Sequence, residues 1–180
     1  MNIFKDDRFN LKMTICILIW IMVLSGFVGF VYETIFYKID LGYFVKRGST
    51  FGPWIPIYAF GGVLIVLCSY PFQKKPWLVF VINCFVTGVL EYLTGYVLYE
   101  VFHTRLWDYN TEIWNFGNVN GYICLRSIAT FGLSSLILIY YLLPCIQKYI
   151  QKISERKVWI ISSFLGIAFF LDIILYAMIY

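Results

Sequence analysis

Two glutamates stand within long uncharged segments of this 180-residue chain, each on a helical face that also carries glycines. Glu33 follows Gly26 and Gly29 by seven and four residues, and Glu91 has glycines three residues before and four residues after it. Residues at these spacings share one face of a helix, and small residues let helices approach closely in a bilayer. We therefore predict that both carboxylates face a bundle interior, where an ionised side chain costs at least ~2.5 kcal/mol and requires a partner or a proton.

Two arginines accompany these glutamates and complete a candidate binding site for a small solute. Arg126 lies about one turn inside a predicted helix, so we expect a carboxylate partner there. The candidate partners are Glu33, Glu91 and Asp108. Arg47 precedes a predicted helix start, whose free N–H groups and partial positive charge favour an anion, either Glu33 or a substrate carboxylate or phosphate. The predicted substrate-binding residues are thus Glu33, Arg47, Glu91, Asp108 and Arg126.

The connection between the third and fourth apolar segments is rich in polar and aromatic residues, reading HTRLWDYNTEIWNFGNVNG at 103–121. Its asparagines and glycines predict an ordered polar loop, with a turn at Asn120 and Gly121. Its tryptophans and tyrosine are typical of a membrane interface. Glu100 lies nine residues beyond Glu91, half a turn out of phase, so it joins the same cluster only if the helix bends. We predict supporting roles for Tyr58, Glu100, Trp107, Tyr109 and Asn118.

Composition and segment length predict an all-α, polytopic transmembrane helical bundle. The chain is 61% hydrophobic and 13% charged, whereas soluble domains carry about 25% charged residues. About 20 helical residues span a hydrocarbon core of about 30 Å, and their backbone must bond internally. We predict a single integral membrane domain over residues 1–180, with five spans at about 13–37, 53–72, 77–102, 122–146 and 158–180. The second span is expected to begin at Pro53, and Asp172 in the last span is a further candidate for a buried partner.

Basic residues are distributed unevenly between the two ends of the predicted bundle. The N-terminus and the connections 73–76 and 148–157 together carry nine lysines and arginines, including Lys5 and Arg8, and the opposite connections carry four. Because basic residues concentrate on the cytoplasmic side, we predict a cytoplasmic N-terminus, a C-terminus outside and an outward-facing polar pocket. The net charge of +4 reflects this bias and does not indicate a nucleic-acid partner.

Motifs for several kinds of chemistry are absent from the sequence. The five cysteines are odd in number and lack metal-site spacing, so we expect no disulfide framework and no metal site. No Ser-His-Asp set, HExxH motif or phosphate-binding loop followed by Lys and Ser/Thr is present. We therefore expect no cofactor and no Walker-type ATPase site in this chain, and we assign no catalytic residue.

Five segments, in order, resemble one bacterial protein family. They are GFVYE (29–33), KRGSTFGPWIPIYAFGG (46–62), EYLTGYVLYEVF (91–102), WDYN (107–110) and NVNGYICL (118–125). Over roughly residues 26–135 the chain resembles the ABC-transporter type IV permeases, apart from Ala59 and Asn110, where that family usually has Gly and Ser. The resemblance implies a multi-pass, transport-related protein of the bacterial plasma membrane. It also implies a partner, either a homo-oligomer or a separate ATPase or membrane protein, because five helices are few for a pore.

The sequence leaves three functions open. The first, which we favour, is a permease-like subunit that binds a small anionic or amphipathic solute in the outward-facing charged pocket. The second is a membrane-embedded enzyme that acts on a lipid-linked or cell-envelope substrate at the outer leaflet, using paired carboxylates with separated pKa values. The third is a non-catalytic partner or sensor, for which the polar residues within the helices are more numerous than needed.

Overall fold

The computed structural model describes residues 10–179 as a bundle of five helices. They are α1 (Leu11–Leu41), α2 (Pro56–Ser69), α3 (Pro76–Glu100), α4 (Leu125–Gln151) and α5 (Glu155–Ile179). The all-α fold class is therefore confirmed, and each helix begins within about three residues of its predicted start. Lys5 and Arg8, on which the predicted orientation partly depends, lie outside the described residues, as does residue 180 at the end of the fifth predicted span.

Four of the helices, α1, α3, α4 and α5, are long and apolar enough to cross a membrane. Helix α2 is shorter, with 14 residues followed by a three-residue 3-10 turn, Tyr70–Phe72. At about 1.5 Å per residue this segment measures about 25 Å, less than a hydrocarbon core of about 30 Å. The membrane character of the chain is confirmed, whereas the fifth span remains a prediction.

Helix α2 begins at Pro56, three residues later than predicted, because the residues before it are held in an extended conformation. The Ile55 N–H donates to the Gly26 carbonyl at 3.1 Å, and the Thr50 hydroxyl donates to the Trp54 carbonyl at 2.6 Å. Pro56 then takes the first helical position, where its missing N–H has no intrahelical partner. The segment that precedes α2 is therefore held against the middle of α1, at Gly26.

Helix α1 is central to the bundle. It packs on α2 and α5, while α2 packs on α3 and α3 packs on α4. The second half of α4 packs on α1, and the two share an apolar core that includes Ile17, Ile21, Val66, Val79, Ile139 and Leu143. The connections 42–55 and 101–124 meet at the other end, where Arg47 donates to the Leu106 carbonyl at 3.4 Å. There the Ile113 N–H also donates to Asp40, at the end of α1, at 3.1 Å. We call this end of the bundle the polar end.

The connection 101–124 forms an ordered polar loop, as the sequence predicts. Asp108 accepts hydrogen bonds from the Asn110 N–H at 3.0 Å and from its side-chain amide at 2.8 Å. Asn120 and Gly121 have φ values of 55° and 76°, and the Tyr122 N–H donates across this turn to the carbonyl three residues earlier at 3.0 Å. A turn with two positive φ angles favours Asn-Gly. We call residues 101–124 the polar loop.

Gly29 allows α1 and α2 to approach closely just below Glu33. A Cβ atom at residue 29 would lie 2.2 Å from Cγ of Tyr58. The Tyr58 ring is stacked on Phe131, with ring centroids 5.1 Å apart, and this packing restricts displacement of the ring by an added methyl group. The predicted glycine face of α1 therefore packs on α2. This packing places the Tyr58 side chain near Glu33, and both residues line the same cavity.

Gly29→Ala is expected to lower the free energy of unfolding by about 1–3 kcal/mol, because the added methyl group overlaps a packed ring. Gly61→Ala is the matched control, since a Cβ there has its nearest neighbour, Leu90 Cδ2, at 3.7 Å. Alanine at residue 61 should be neutral or gain up to about 1 kcal/mol of helix propensity. Thermal unfolding in detergent micelles compares the two, and equal melting temperatures would contradict this account of the α1–α2 contact.

Candidate functional site

A small cavity lined by charged and aromatic side chains lies among α1–α4 and the polar loop, near the polar end. We call it the inner cavity; its volume is about 30 Å³, which is room for about one or two water molecules. Its charged lining residues are Glu33, Glu91, Glu112 and Arg126. The other lining residues are Tyr32, Phe36, Tyr37, Ile57, Tyr58, Trp107, Tyr109, Ser127, Thr130 and Phe131. Three of the five predicted substrate-binding residues therefore meet in one cavity.

Arg126 forms an ion pair with Glu112, at 2.6 Å between Nη2 and Oε2. Both side chains are largely buried, with exposed fractions of 15% and 5%. The Tyr37 hydroxyl donates to the other oxygen of Glu112, and the Arg126 guanidinium lies 4.0 Å from the centroid of the Phe36 ring. The prediction of a carboxylate partner for Arg126 is confirmed.

The predicted identity of that partner is wrong, because Glu33, Glu91 and Asp108 are each engaged elsewhere. Glu112 lies in the polar loop, which folds back over α1 and α4 and carries this carboxylate to Arg126. A loop residue follows no helical period, so no spacing in the sequence places Glu112 beside a helix. The one signal available was its position among the acidic residues near the polar end.

Glu33 is held by Arg47, at 2.9 Å between Oε2 and Nε. The guanidinium of Arg47 also lies 3.7 Å from the centroid of the Tyr37 ring and donates to the Leu106 carbonyl at 3.4 Å. The predicted partners of Arg47 are Glu33 and a substrate carboxylate or phosphate, and in the structure Arg47 is paired with Glu33. This ion pair joins α1 to the connection 42–55 and to the polar loop.

Glu91 is the most deeply buried carboxylate of the inner cavity, with 4% of the residue exposed. The Tyr109 hydroxyl donates to its Oε1, while within residues 10–179 its Oε2 has no hydrogen-bond partner. The hydroxyl of Ser127 donates to the Cys124 carbonyl at 2.8 Å and is therefore not available to Glu91. Burial, and then the Glu91 carboxylate, raises the pKa of Tyr109 well above its usual value, so the phenol keeps the proton that it donates.

Asp108, a predicted substrate-binding residue, lies outside the lining of the inner cavity. It forms an ion pair with Arg105 at 2.7 Å and accepts the two hydrogen bonds from Asn110. Burial acts to raise the pKa of Asp108, but the Asn110 N–H and Arg105 outweigh it and hold the pKa below its usual value. Asp108 therefore organises the polar loop, and it stays ionised at neutral pH.

The predicted supporting residues divide into two groups. Tyr58, Trp107 and Tyr109 line the inner cavity, and the Trp107 indole N–H donates to the Tyr122 carbonyl at 3.0 Å. Glu100 accepts a hydrogen bond from the Tyr122 hydroxyl at 2.8 Å and does not reach the cavity, as its phase on α3 predicts. Asn118 likewise stays within the polar loop, where its amide donates to Asn110 at 2.7 Å.

Asp172, a candidate for a buried partner, is half-buried, and its hydrogen-bond donors are N–H groups of uncharged residues. It accepts hydrogen bonds from the N–H groups of Phe51 and Gly52, each at 2.9 Å, and from the Trp54 indole N–H at 2.6 Å. It thereby ties the middle of α5 to the segment that precedes α2.

Two larger spaces adjoin the inner cavity. The first, which we call the outer cavity, has a volume of about 480 Å³ and shares Glu33, Ile57 and Trp107 with the inner cavity. The second is an apolar groove of about 330 Å³ between α1, α2 and α4, which shares Tyr32, Tyr58, Thr130 and Phe131 with it. The charged inner cavity thus lies between a space with basic residues and a space with apolar ones.

Fold and site together define a helical membrane protein that encloses charged side chains at one end of its bundle. The chain belongs to the family described as "Putative ABC-transporter type IV", whose sequence profile matches residues 18–177. The match extends the resemblance seen over residues 26–135 to nearly the whole chain. Comparisons with curated proteins and with solved structures gave no match.

Proposed function

We propose that this protein is a transport-related membrane subunit that binds a small anionic or amphipathic solute in the inner cavity. Membership of an ABC-transporter family supports the transport role. The enclosed charges support the site, since ionisable residues within membrane helices commonly mark substrate or ion pathways. The proposed site residues are Glu33, Arg47, Glu91, Asp108, Glu112 and Arg126, with Asp108 acting through the shape of the polar loop.

The observation that carries this proposal is the pair of unsatisfied polar atoms in the inner cavity. Glu91 Oε2 and Arg126 Nε are both buried and have no hydrogen-bond partner within residues 10–179, and both residues line the same cavity. Leaving a buried polar group unpaired costs about 1–3 kcal/mol. A solute that offers one donor and one acceptor would satisfy both atoms and recover that free energy.

The inner cavity must widen to admit such a solute, because its present volume accommodates little more than water. The Glu33–Arg47 ion pair lies where the inner and outer cavities adjoin, so its opening would join the two spaces. The other ion pair, Glu112–Arg126, anchors the polar loop to α4. We propose that the first pair is the gate and that the second is the fixed side of the site.

The proposed orientation places the polar end outside the cytoplasm. The opposite end, over its described connections and the helix ends beside them, carries Lys74, Lys75, Lys148, Lys152, Arg156 and Lys157. This basic excess supports a cytoplasmic location for that end in the bacterial plasma membrane. Those connections are short, so coupling to a separate ATPase, or assembly with further copies of the chain, would involve the helix ends themselves.

A membrane-embedded enzyme is a second candidate, because two carboxylates in the inner cavity have different surroundings. Glu112 is paired with Arg126 and accepts a hydrogen bond from Tyr37, whereas Glu91 accepts one from Tyr109 and has no charged partner within residues 10–179. Unlike surroundings are what separate an acid from a base in catalysis. The apolar groove beside them would suit the hydrocarbon part of a lipid-linked substrate.

The two functions are distinguished by paired experiments. A bacterial strain that lacks this protein is expected to show altered sensitivity within a panel of toxic anionic and amphipathic compounds, with wild-type protein on a plasmid restoring the normal response. Unaltered sensitivity across the panel would count against the transport role. The purified protein is also incubated with envelope lipid extract without any ATPase, and turnover detected by mass spectrometry would establish the enzyme instead.

A further inference from the structure

The outer cavity contains a lysine and a set of apolar side chains that are not part of the proposed solute site. Its cationic lining residues are Lys46, Arg47 and Arg105, and Glu33 is the one carboxylate among the lining residues. Its walls are apolar, formed by Ile57, Phe60, Leu90, Leu98, Leu106 and Ile173. We propose that this cavity is a binding site for an anionic phospholipid, with the headgroup phosphate beside Lys46 and an acyl chain along α3.

Lys46 is the cationic residue of this cavity that is available to bind an anionic ligand, because the two arginines are already in ion pairs. Arg47 is paired with Glu33, and Arg105 is paired with Asp108. Within residues 10–179 no carboxylate lies within ion-pair distance of Lys46, whose ammonium contacts only the rings of Phe51 and Tyr176, 5.7 and 5.5 Å from their centroids. Among the described residues the cavity therefore has one cation without a carboxylate partner, and a phosphate would supply the missing negative charge.

Two further groups add to this positive field. The Nε atom of Arg105 is buried and lacks a hydrogen-bond partner within the described residues, although the rest of that guanidinium is engaged. The 14-residue helix α2 starts at the cavity, with Pro56 in the lining and no side chain capping its N-terminus. A helix N-terminus carries about half a positive charge and favours phosphate.

The apolar walls indicate a lipid as the source of the phosphate. From Leu98 to Leu90 the α3 wall extends about 12 Å into the bundle, at about 1.5 Å per residue. Among residues 10–179, α5 packs mainly on α1, while α3 packs on α2 and α4, so α3 and α5 are not extensively packed on each other at this cavity. Phe60 on α2 remains 41% exposed at this cavity. An acyl chain from the bilayer would fill the apolar part of the cavity, whereas a soluble anion would leave it empty.

The arrangement matches the way membrane proteins hold anionic lipids, with a basic pocket between helices for the headgroup. The volume of about 480 Å³ lies within the usual range for ligand sites, about 300–1,000 Å³. The lipid site adjoins the inner cavity, but Lys46 and Leu98, the residues that test it, line the outer cavity and not the inner one. A failure to bind lipid would therefore leave the transport proposal standing.

Lipid binding is measured by native mass spectrometry of the full chain in detergent, titrated with phosphatidylglycerol, phosphatidylcholine or glycerol 3-phosphate. We expect saturable binding of phosphatidylglycerol and about tenfold weaker binding to Lys46→Gln, as for the loss of one charge-assisted contact. Lys46→Arg should retain binding. Lys38→Gln is the matched control, because Lys38 also lies at the polar end and also contacts an aromatic ring, 4.9 Å from the Phe44 centroid, but does not line the outer cavity.

A second variant tests the apolar wall without changing any charge. Leu98→Trp is expected to weaken phosphatidylglycerol binding by filling the path of the acyl chain. Equal binding of phosphatidylcholine and phosphatidylglycerol, or equal effects of Lys46→Gln and Lys38→Gln, would overturn the proposal. Displacement of the lipid by glycerol 3-phosphate at equal concentration would also overturn it, by showing that the site takes a soluble phosphate. Melting temperatures without lipid confirm that each variant is folded.

Discussion

Arg126→Ala is expected to lower the free energy of unfolding by about 3–5 kcal/mol, the largest effect on stability that we predict. Glu112, whose side chain is 5% exposed, would then keep the Tyr37 hydroxyl as its side-chain hydrogen-bond donor within residues 10–179. Its counter-charge would be gone while its burial remained. Breaking a buried ion pair from one side costs more than the pair contributes, because the remaining charge is uncompensated. Unfolding by SDS in mixed micelles gives the free energy directly.

A double-mutant cycle separates the unpaired charge from simple loss of packing. Glu112→Ala in the Arg126→Ala background removes that charge, so the double variant should be more stable than Arg126→Ala alone. Arg105→Ala is the control, because its pair with Asp108 is more exposed, at 25% and 30%, and such pairs contribute about 0–1 kcal/mol. If Arg126→Ala were no less stable than Arg105→Ala, the buried pair would not be holding the polar loop.

The sequence predicts those features of the fold that depend on the residues of a single helix. Apolar length alone predicts the helices, and helical period alone places Gly29 and Glu33 on the same face of α1. The start of α2 does not follow, because it depends on a bond between Ile55 and Gly26 that joins residues distant in sequence. Proline favours the first helical position equally at Pro53 and Pro56, so local preference does not choose between them.

The candidate site follows from the sequence in its helical part and not in its loop part. Glu33, Glu91 and Arg126 are recognisable because a charge within an apolar helix requires a partner. Glu112 has no such signature, since its role depends on how the polar loop folds back against Tyr37 and Arg126. To identify which carboxylate pairs with an arginine, one must know the backbone conformation of the polar loop, and residue types alone do not determine that conformation.

Glu91→Gln is expected to abolish function while leaving stability nearly unchanged. Glutamine has the same shape and its carbonyl oxygen still accepts the hydrogen bond from Tyr109. The substitution replaces the unpartnered Oε2 by an amide donor and removes the negative charge from the inner cavity. A site that hydrogen-bonds a polar group of its ligand discriminates strongly when that contact is lost, because its own buried groups are left unpaired. Functional loss should therefore far exceed any change in melting temperature.

Glu100→Gln is the matched control for this substitution, because Glu100 lies on the same helix and also accepts a tyrosine hydroxyl, from Tyr122 at 2.8 Å. Glu100 lines neither the inner nor the outer cavity. Its amide variant should therefore return the deletion strain to the normal response to the compounds, as the wild-type protein does. Both variants are expressed at matched levels and compared for melting temperature in micelles. Full complementation by Glu91→Gln would place the solute outside the inner cavity. Loss of complementation by both variants would show that α3 tolerates no such change and would remove the argument for Glu91 in particular. Loss by Glu91→Gln alone would assign the missing contact to Glu91 Oε2, which is buried without a hydrogen-bond partner within residues 10–179.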